Sequence, residues 1–273
     1  MADKLGILAG GGEIPARLVE ACRAAGRDVF VLAFEGHTDP QTLRGVEHAW
    51  SRLGAAGAAL DTLRQAGVVE LVLAGPIRRP SLSELRPDMR GLQFFAKIGG
   101  NSLGDDGLLS AAVAGLEEEG FRVIGIDDVL AGVLAEEGPY GKLSPDEQAA
   151  RDIARGIAVA RALGAADVGQ AVVVQEGIVL GVEAIEGTDG LLARCKDLRR
   201  AGPGGVLVKA KKPHQENRVD LPTVGTSTVR NAAAAGLRGI AVQAGGALII
   251  DRAGVTRAAD EAGLFVIGVK ETE

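Results

Sequence analysis

The sequence is short of several things, and each shortage excludes something. One Trp, one Tyr and six Phe make 3% aromatics in 273 residues, too few for a base-stacking nucleic-acid platform. Thirty basic residues against 36 acidic ones give a net charge of −6, which also argues against a nucleic-acid partner. The two cysteines, Cys22 and Cys195, lie far apart and in no C-x-x-C pattern. A disulfide framework and a thiolate zinc site are therefore not expected, and two free thiols in a reducing compartment are. The three histidines, His37, His48 and His214, form no ligand pair. Any metal here should take oxygen ligands, as Mg²⁺ or Mn²⁺ does. No apolar run reaches the ~18 residues that a membrane span needs. Met1-Ala2-Asp3-Lys4 runs directly into an apolar strand, without the apolar region of a signal peptide. These features lead to the expectation of a cytoplasmic protein. The chain has no G-x-S-x-G, no G-x-x-x-x-G-K-[ST] and no Cys–His pairing.

What is present is apolar residues (47%) and forty glycines without a G-x-y period, a composition of many loops and backbone-lined sites. In the first half, short apolar strands (Leu5–Ala9, Asp28–Phe34, Val68–Ala74, Phe121–Ile126) alternate with helical stretches, including Ala55–Ala66 and Leu103–Gly120. That alternation predicts βαβ units and a parallel sheet. In the second half, Ser144-Pro145 reads as the cap and first residue of a long helix to Leu163. Ala171–Val174 and Ile178–Ala184 read as a hairpin about Gln175-Glu176-Gly177. Later strands are expected at Gly205–Ala210, Ile240–Val242, Ala247–Ile250 and Leu264–Val269, with a helix at Thr226–Ala235. The predicted fold class is α/β: an N-terminal Rossmann-like, doubly wound parallel-sheet domain (1–134), a linker (135–145) and a second α/β domain (146–273). The second sheet is expected to be mixed and partly antiparallel, with a crevice between the domains.

Four places could carry chemistry. Gly10-Gly11-Gly12, between strand and helix, could bring backbone N–H groups to a phosphate. Pro15 stands where a dinucleotide fingerprint has its third glycine, and Glu35 falls where a ribose contact would lie, so a tight turn at a sheet edge stays open. Ala74-Gly75-Pro76 ends another parallel strand and precedes Arg78, Arg79, Arg86 and Arg90, four arginines for anionic headgroups or for a solvated loop. Gly104-Asp105-Asp106 opens a helix as a cap or a metal contact. Glu183, Glu186 and Asp189, around Gly187-Thr188, suit a hard cation or ordinary helix capping. The densest stretch is KAKKPHQENRVD, with Lys209, Lys211, Lys212, His214 and Arg218 within ten residues of a net-negative chain. The Pro-Thr-Val-Gly-Thr turn after it favours an anion site over a charged loop with Asp220 paired to Arg218. An acid among cations stays ionised and could hold Mg²⁺ or orient a water.

LGILAGGGEIP, LAGPIRRP, DVGQAVVVQEGIVLGVEAIEGTD and KAKKPHQENRVDLPTVGTST together resemble the UDP-2,3-diacylglucosamine pyrophosphatases of lipid A biosynthesis. The type is the two-domain, metal-dependent one, unrelated to the calcineurin-like phosphoesterases. The resemblance covers nearly the whole chain and is most specific in EGTD and Q-x-x-R-x-DLP-x-x-G. It implies a hydrolase that releases UMP and 2,3-diacylglucosamine 1-phosphate by water attack on the α-phosphorus. It further implies Mg²⁺ (with Mn²⁺ as substitute), a homodimer, and transient contact with the cytoplasmic face of the inner membrane. Asp220, in the R-x-DLP motif, falls at the family's important aspartate. Gly11 and Gly12 match its glycine loop, Gln170, Thr188 and Asp189 its GQ and EGTD positions, and Lys209, Lys211, Gln215 and Arg218 its basic strand. Gly75 and Pro76, with Gly225 and Thr228, complete the expected substrate set, and Asp220, Asp189, Glu183 and Glu186 the expected metal set. Pro76 departs from the family, which has a polar residue there, often Asn. Two other classes fit parts of the pattern: a nucleotide-sugar or NAD(P)-binding oxidoreductase or dehydratase, and a non-catalytic nucleotide-sugar or lipid-headgroup binding protein.

Overall fold

Short parallel strands with apolar side chains on both faces need helices on both sides, because neither face can meet water. A computed structural model describes residues 2–78, 86–98, 105–213 and 215–270, with the side chains of 94–98, 105 and 106 outside the description. Arg79, Gly104, His214 and the Asp105 and Asp106 side chains therefore lie outside the described residues. The chain divides into two compact units: Met1–Ala131 with Glu216–Asp220, and Gly132–Gln215 with Leu221–Glu273.

In the first unit, β1 (Leu5–Ala9), β2 (Val29–Phe34), β3 (Glu47–Ser51), β4 (Glu70–Ala74) and β5 (Arg122–Val123) form one parallel sheet. Its order is β3-β2-β1-β4-β5, so the winding direction reverses between β1 and β4. Helices α1 (Ile14–Ala24), α2 (Ala56–Gln65), α3 (Met89–Ile98), α4 (Asp105–Glu118) and the single turn α5 (Ile126–Val129) lie between strands in the chain. Helix α1 starts with Pro15, whose missing N–H costs nothing in a first turn, and buries Leu18, Val19 and Cys22. Leu5, Ile7, Val31 and Leu71 are fully buried in the sheet. Burial also raises the pKa of the Cys22 thiol and makes it an inert core group. Two readings need correction here. The strand expected at Phe121–Ile126 shrinks to two residues, because Gly125 caps α5 by donating its N–H to the Asp128 carboxylate (2.8 Å). The edge strand β3 escaped the sequence reading because it is polar and half exposed, with no alternation to mark it.

The second unit holds a six-stranded mixed sheet of order β6-β13-β11-β9-β7-β8. Its strands are β6 (Gly138–Pro139), β7 (Ala171–Gln175), β8 (Ile178–Val182), β9 (Val206–Lys209), β11 (Gly239–Gln243) and β13 (Phe265–Val269). The pairs β7–β8, β7–β9 and β6–β13 are antiparallel; β9–β11 and β11–β13 are parallel. A small parallel pair, β10 (Thr223–Val224) with β12 (Leu248–Ile249), stands apart. The helices are α6 (Glu147–Ala165), α7 (Gly187–Leu198), α8 (Thr226–Ala234) and α9 (Arg252–Ala262). Residues 135–145, where a linker is expected, include the edge strand β6. Helix α6 begins two residues later than Ser144-Pro145 suggests, because the Asp146 carboxylate accepts the Ala149 N–H (2.8 Å) and is the true cap.

Helix α6 lies close to β9: a Cβ added at Gly156 would stand 2.8 Å from Val208 Cβ. Gly156→Ala therefore pits a gain in helix propensity of about 1 kcal/mol against overpacking that costs about 1–3 kcal/mol. The expected outcome is a lower melting temperature; a rise would show that the helix can move away from the sheet.

Candidate functional site

In the first unit, the loops after β1, β2 and β4 meet where the winding reverses, the place at which open α/β sheets leave a ligand crevice. The Gly10 N–H donates to Ala74 O (2.7 Å) and the Gly11 N–H to Pro76 O (2.9 Å). A Cβ at Gly10 would lie 2.7 Å from Pro76 O, so glycine is needed for two backbones to touch. Two N–H groups expected to face a phosphate are thus spent on the neighbouring loop, and Gly12 (φ +75°), exposed, is left outside that pairing. Gly75, at φ +87°, turns the β4 loop in a conformation that favours glycine. Thr38 ties the β2 loop to the β1 end, accepting from the Phe34 N–H (2.9 Å) and donating to Ala9 O (2.5 Å). The Arg78 N–H donates to His37 Nδ1 (3.3 Å). Glu35, the ribose candidate, is exposed and hydrogen-bonded here through its backbone, to Ser51 O (3.0 Å).

Arg218, expected as a phosphate contact, is bonded here to carboxylates of its own unit. Its Nε and Nη2 form a fork on the two Glu216 oxygens (2.9 Å each), and Nη1 reaches Glu117 (2.6 Å) and Val123 O (3.2 Å). Glu216, then Glu117, raise the guanidinium pKa still further, and the Arg218 hydrogen bond holds the Glu216 carboxyl below its ordinary range. Val219 packs beside the cluster of Phe30, Leu32, Leu63 and Phe121. The pair of carboxylates and this apolar contact fix the segment that ends in half-buried Asp220.

In the second unit, Gln170, Glu183, Thr188, Gln215 and Lys212 are joined by hydrogen bonds. Glu183, 7% exposed, accepts the Gln170 N–H on one oxygen (3.1 Å) and the Thr188 hydroxyl on the other (2.7 Å). The Gln170 side-chain oxygen accepts from Gln215 Nε2 (3.3 Å), and the Gln215 oxygen accepts the Lys212 N–H (2.9 Å). The buried Lys212 ammonium pairs with Asp167 (2.7 Å). Asp167 has φ +51°, a left-handed position that Asp tolerates better than most residues, and no motif in the sequence marks it as this partner. Lys209, 5% exposed, donates its ammonium to Thr223 O (2.9 Å). The Lys211 backbone N–H goes to the Gln243 side chain (3.0 Å). Gly225 caps α8 and donates its N–H to the buried Thr228 hydroxyl (3.4 Å).

The metal set expected from the sequence is Asp220, Asp189, Glu183 and Glu186. Among the described residues, no three His, Cys, Asp or Glu side chains gather as metal ligands. Each acid of the EGTD corner is drawn to a different protein donor. Glu183 is occupied as above, and Asp189 accepts from Asn231 Nδ2 (2.8 Å). Glu186 pairs with Arg194 (2.5 Å). Its own backbone N–H, with that guanidinium, holds the Glu186 carboxyl below its ordinary range. Magnesium commonly uses one or two carboxylates plus substrate phosphates instead of a protein cage, and the donor set here fits only that shared form.

Comparison with known proteins places this geometry in a family. Residues 4–133 match the LpxI N-terminal domain and residues 136–267 the LpxI C-terminal domain. The chain is 43% identical over 277 residues to the UDP-2,3-diacylglucosamine pyrophosphatase LpxI of Caulobacter vibrioides, with 99% of each chain covered. Among solved structures, CobK precorrin-6A reductase aligns with a TM-score of 0.36 at 13% identity, covering 100% of this chain and 89% of that one. The UDP-glucose 4-epimerase of Thermus thermophilus, in complex with NAD, aligns at 0.34 and 13%, covering 98% and 86%. The fold assignment rests on the strand order above and takes nothing from these two likenesses.

The Arg218 fork has a pH signature. Because the folded Glu216 pKa lies below its ordinary value of 4.5, the pair's stabilisation is present above that value and is lost as pH falls through the lower, folded one. Urea unfolding of the native protein and of Glu216→Gln should differ near neutral pH and converge as the pH falls through the lower, folded value. A gap that persists unchanged into acid would overturn the assignment.

Proposed function

The chain belongs to the LpxI family, and we infer from that membership that it hydrolyses the pyrophosphate of UDP-2,3-diacylglucosamine in lipid A biosynthesis. The products are UMP and 2,3-diacylglucosamine 1-phosphate. The observation that carries this reading is an identity of 43% that runs through 99% of both chains. In the reaction, water adds to the α-phosphorus and the bond from that phosphorus to the bridging oxygen breaks. The water oxygen stays on UMP, the bridging oxygen leaves on the sugar 1-phosphate, and the proton passes to a base or to solvent.

We propose the roles as follows. Asp220, fixed by the Arg218 segment, orients the attacking water or is the carboxylate that a divalent ion shares with the substrate. Such an ion, Mg²⁺ or Mn²⁺, would offset diphosphate charge when bound. Lys209 and Lys211 supply positive charge to a substrate that gains negative charge on its leaving oxygen. Gln170, Gln215, Thr188 and Asp189 supply polar contacts held in place by the network around Glu183, with Gly225 and Thr228 at the start of α8. Gly11 contributes through its carbonyl side and Gly12 through its backbone, beside Gly75 and Pro76. Arg218 acts as an anchor for Asp220, not as a phosphate ligand. The same proposal includes a homodimer in the cytoplasm and contact with the inner membrane through Arg78, Arg86 and Arg90. Among the described residues no helix is long and apolar enough to cross a membrane.

The test is UMP release from UDP-2,3-diacylglucosamine by the intact protein with Mg²⁺, with EDTA and with Asp220→Ala. Release should stop with EDTA and fall by about a hundredfold or more in the variant. No release by the intact protein with any divalent metal would overturn the activity. The membrane contact is tested by sedimentation with vesicles. Anionic vesicles should carry the protein down and neutral ones should not, and Arg86→Glu with Arg90→Glu should abolish the difference. Equal sedimentation with both vesicle types would overturn it.

A further inference from the structure

The corner Glu183–Asp189 has a polarity that its sequence does not reveal. Thr188 Oγ1 donates its only proton to Glu183 Oε1 (2.7 Å), and the other Glu183 oxygen is held by the Gln170 N–H (3.1 Å). Glu183 is itself locked. Its N–H donates to Ala171 O (2.8 Å), and its carbonyl lies so close to Gly169 that a Cβ there would run into it. An ionised carboxylate accepts only, and a hydroxyl has one proton and two lone pairs. Once the Thr188 hydroxyl has given its proton to a buried carboxylate, that oxygen can offer a ligand lone pairs and nothing else.

We propose that Glu183 is a positioning residue that fixes the Thr188 hydroxyl as a hydrogen-bond acceptor, so that this oxygen meets an N–H or O–H donor of the substrate and not a phosphate oxygen. The proposal rests on the hydrolase reading for the identity of the substrate, and it adds which class of group Thr188 meets. UDP-2,3-diacylglucosamine has such donors in its sugar hydroxyls and acyl amide. Its diphosphate has acceptors alone when fully ionised, and two acceptors facing each other across a desolvated contact repel. Glu183 thereby sorts the substrate's polar groups: the cations of the basic strand take the phosphates, and the Thr188 hydroxyl takes a neutral donor. Glu183, one of the metal candidates in the sequence, has both oxygens occupied by protein donors.

The experiment is a double-mutant cycle with Thr188→Val and Glu183→Gln, read as kcat and KM separately on intact protein, with thermal melting as the fold control. Thr188→Val should raise KM by about tenfold, the size of one lost hydrogen bond to a buried partner, and change kcat less. Glu183→Gln should raise KM similarly, and the double variant should match Thr188→Val alone, because both remove the same contact. Inhibition by inorganic pyrophosphate at alkaline pH, where it carries acceptors only, should be the same in native protein and Thr188→Val, whether tight or weak. Additive effects in the cycle would overturn the positioning role. Pyrophosphate inhibition that weakens in step with KM would overturn the acceptor assignment. Should Glu183→Gln fail to fold, Thr188→Val at its partly exposed position still decides the second point. A native protein that releases no UMP fails the hydrolase reading instead, and the pyrophosphate comparison, made then by calorimetry, still tests the polarity of Thr188.

Discussion

The bond pattern of Arg218 is the constraint from which the candidate site follows. A planar guanidinium satisfies both oxygens of Glu216 and one of Glu117, and so holds the five residues Glu216–Asp220 against the first unit's strand and helix ends. Arginine suits this because its donors form a rigid fork that matches a carboxylate; a lysine would pair as a point charge without fixing direction. Such a pair stabilises modestly when it is partly exposed, yet it removes the freedom of the chain that carries Asp220. A carboxylate with the role proposed for Asp220 needs a fixed place more than it needs a strong bond, and the fork supplies a place.

Glycine supplies the second constraint, at a few positions where two backbones or a helix and a strand must touch. Gly10 with Pro76, Gly156 with Val208, and Gly169 with Glu183 are contacts that a Cβ would prevent. Each lies next to a candidate site segment or beneath one. The unusually high glycine content is thus partly a record of close approaches and not only of loose loops. The cost is conformational entropy in the unfolded chain, offset where apolar strands such as β7 and β9 are buried along their full length.

Buried polar groups then divide the labour. Lys212 with Asp167, and Glu183 with Thr188 and Gln170, are satisfied internally, as polar groups removed from water must be. Groups that look equivalent in a charge count therefore differ in what they can still do. Arg218 is an anchor, Glu183 an orienting acceptor and Glu186 a partner of Arg194. The proposed chemistry falls to Asp220, Lys209 and Lys211.

The sequence by itself determined the fold class, the hairpin of β7 and β8, the helix starts at Gly187 and Thr226, and the family. Each of these is local: periodicity, a turn signal, a cap or a short motif. Tertiary structure alone decided where the polar edge strand β3 pairs and that β5 keeps only two residues. It also decided that Asp146, not Ser144, caps α6. These depend on which neighbour offers a free hydrogen-bonding edge or donor, and no local pattern encodes that. The same reason separates the site residues. EGTD and R-x-DLP marked candidate segments, but whether a carboxylate holds a hydroxyl or an arginine depends on the donors that folding brings within hydrogen-bond reach of it. At the EGTD acids those donors lie from five to 42 positions away along the chain, from Thr188 at Glu183 to Asn231 at Asp189.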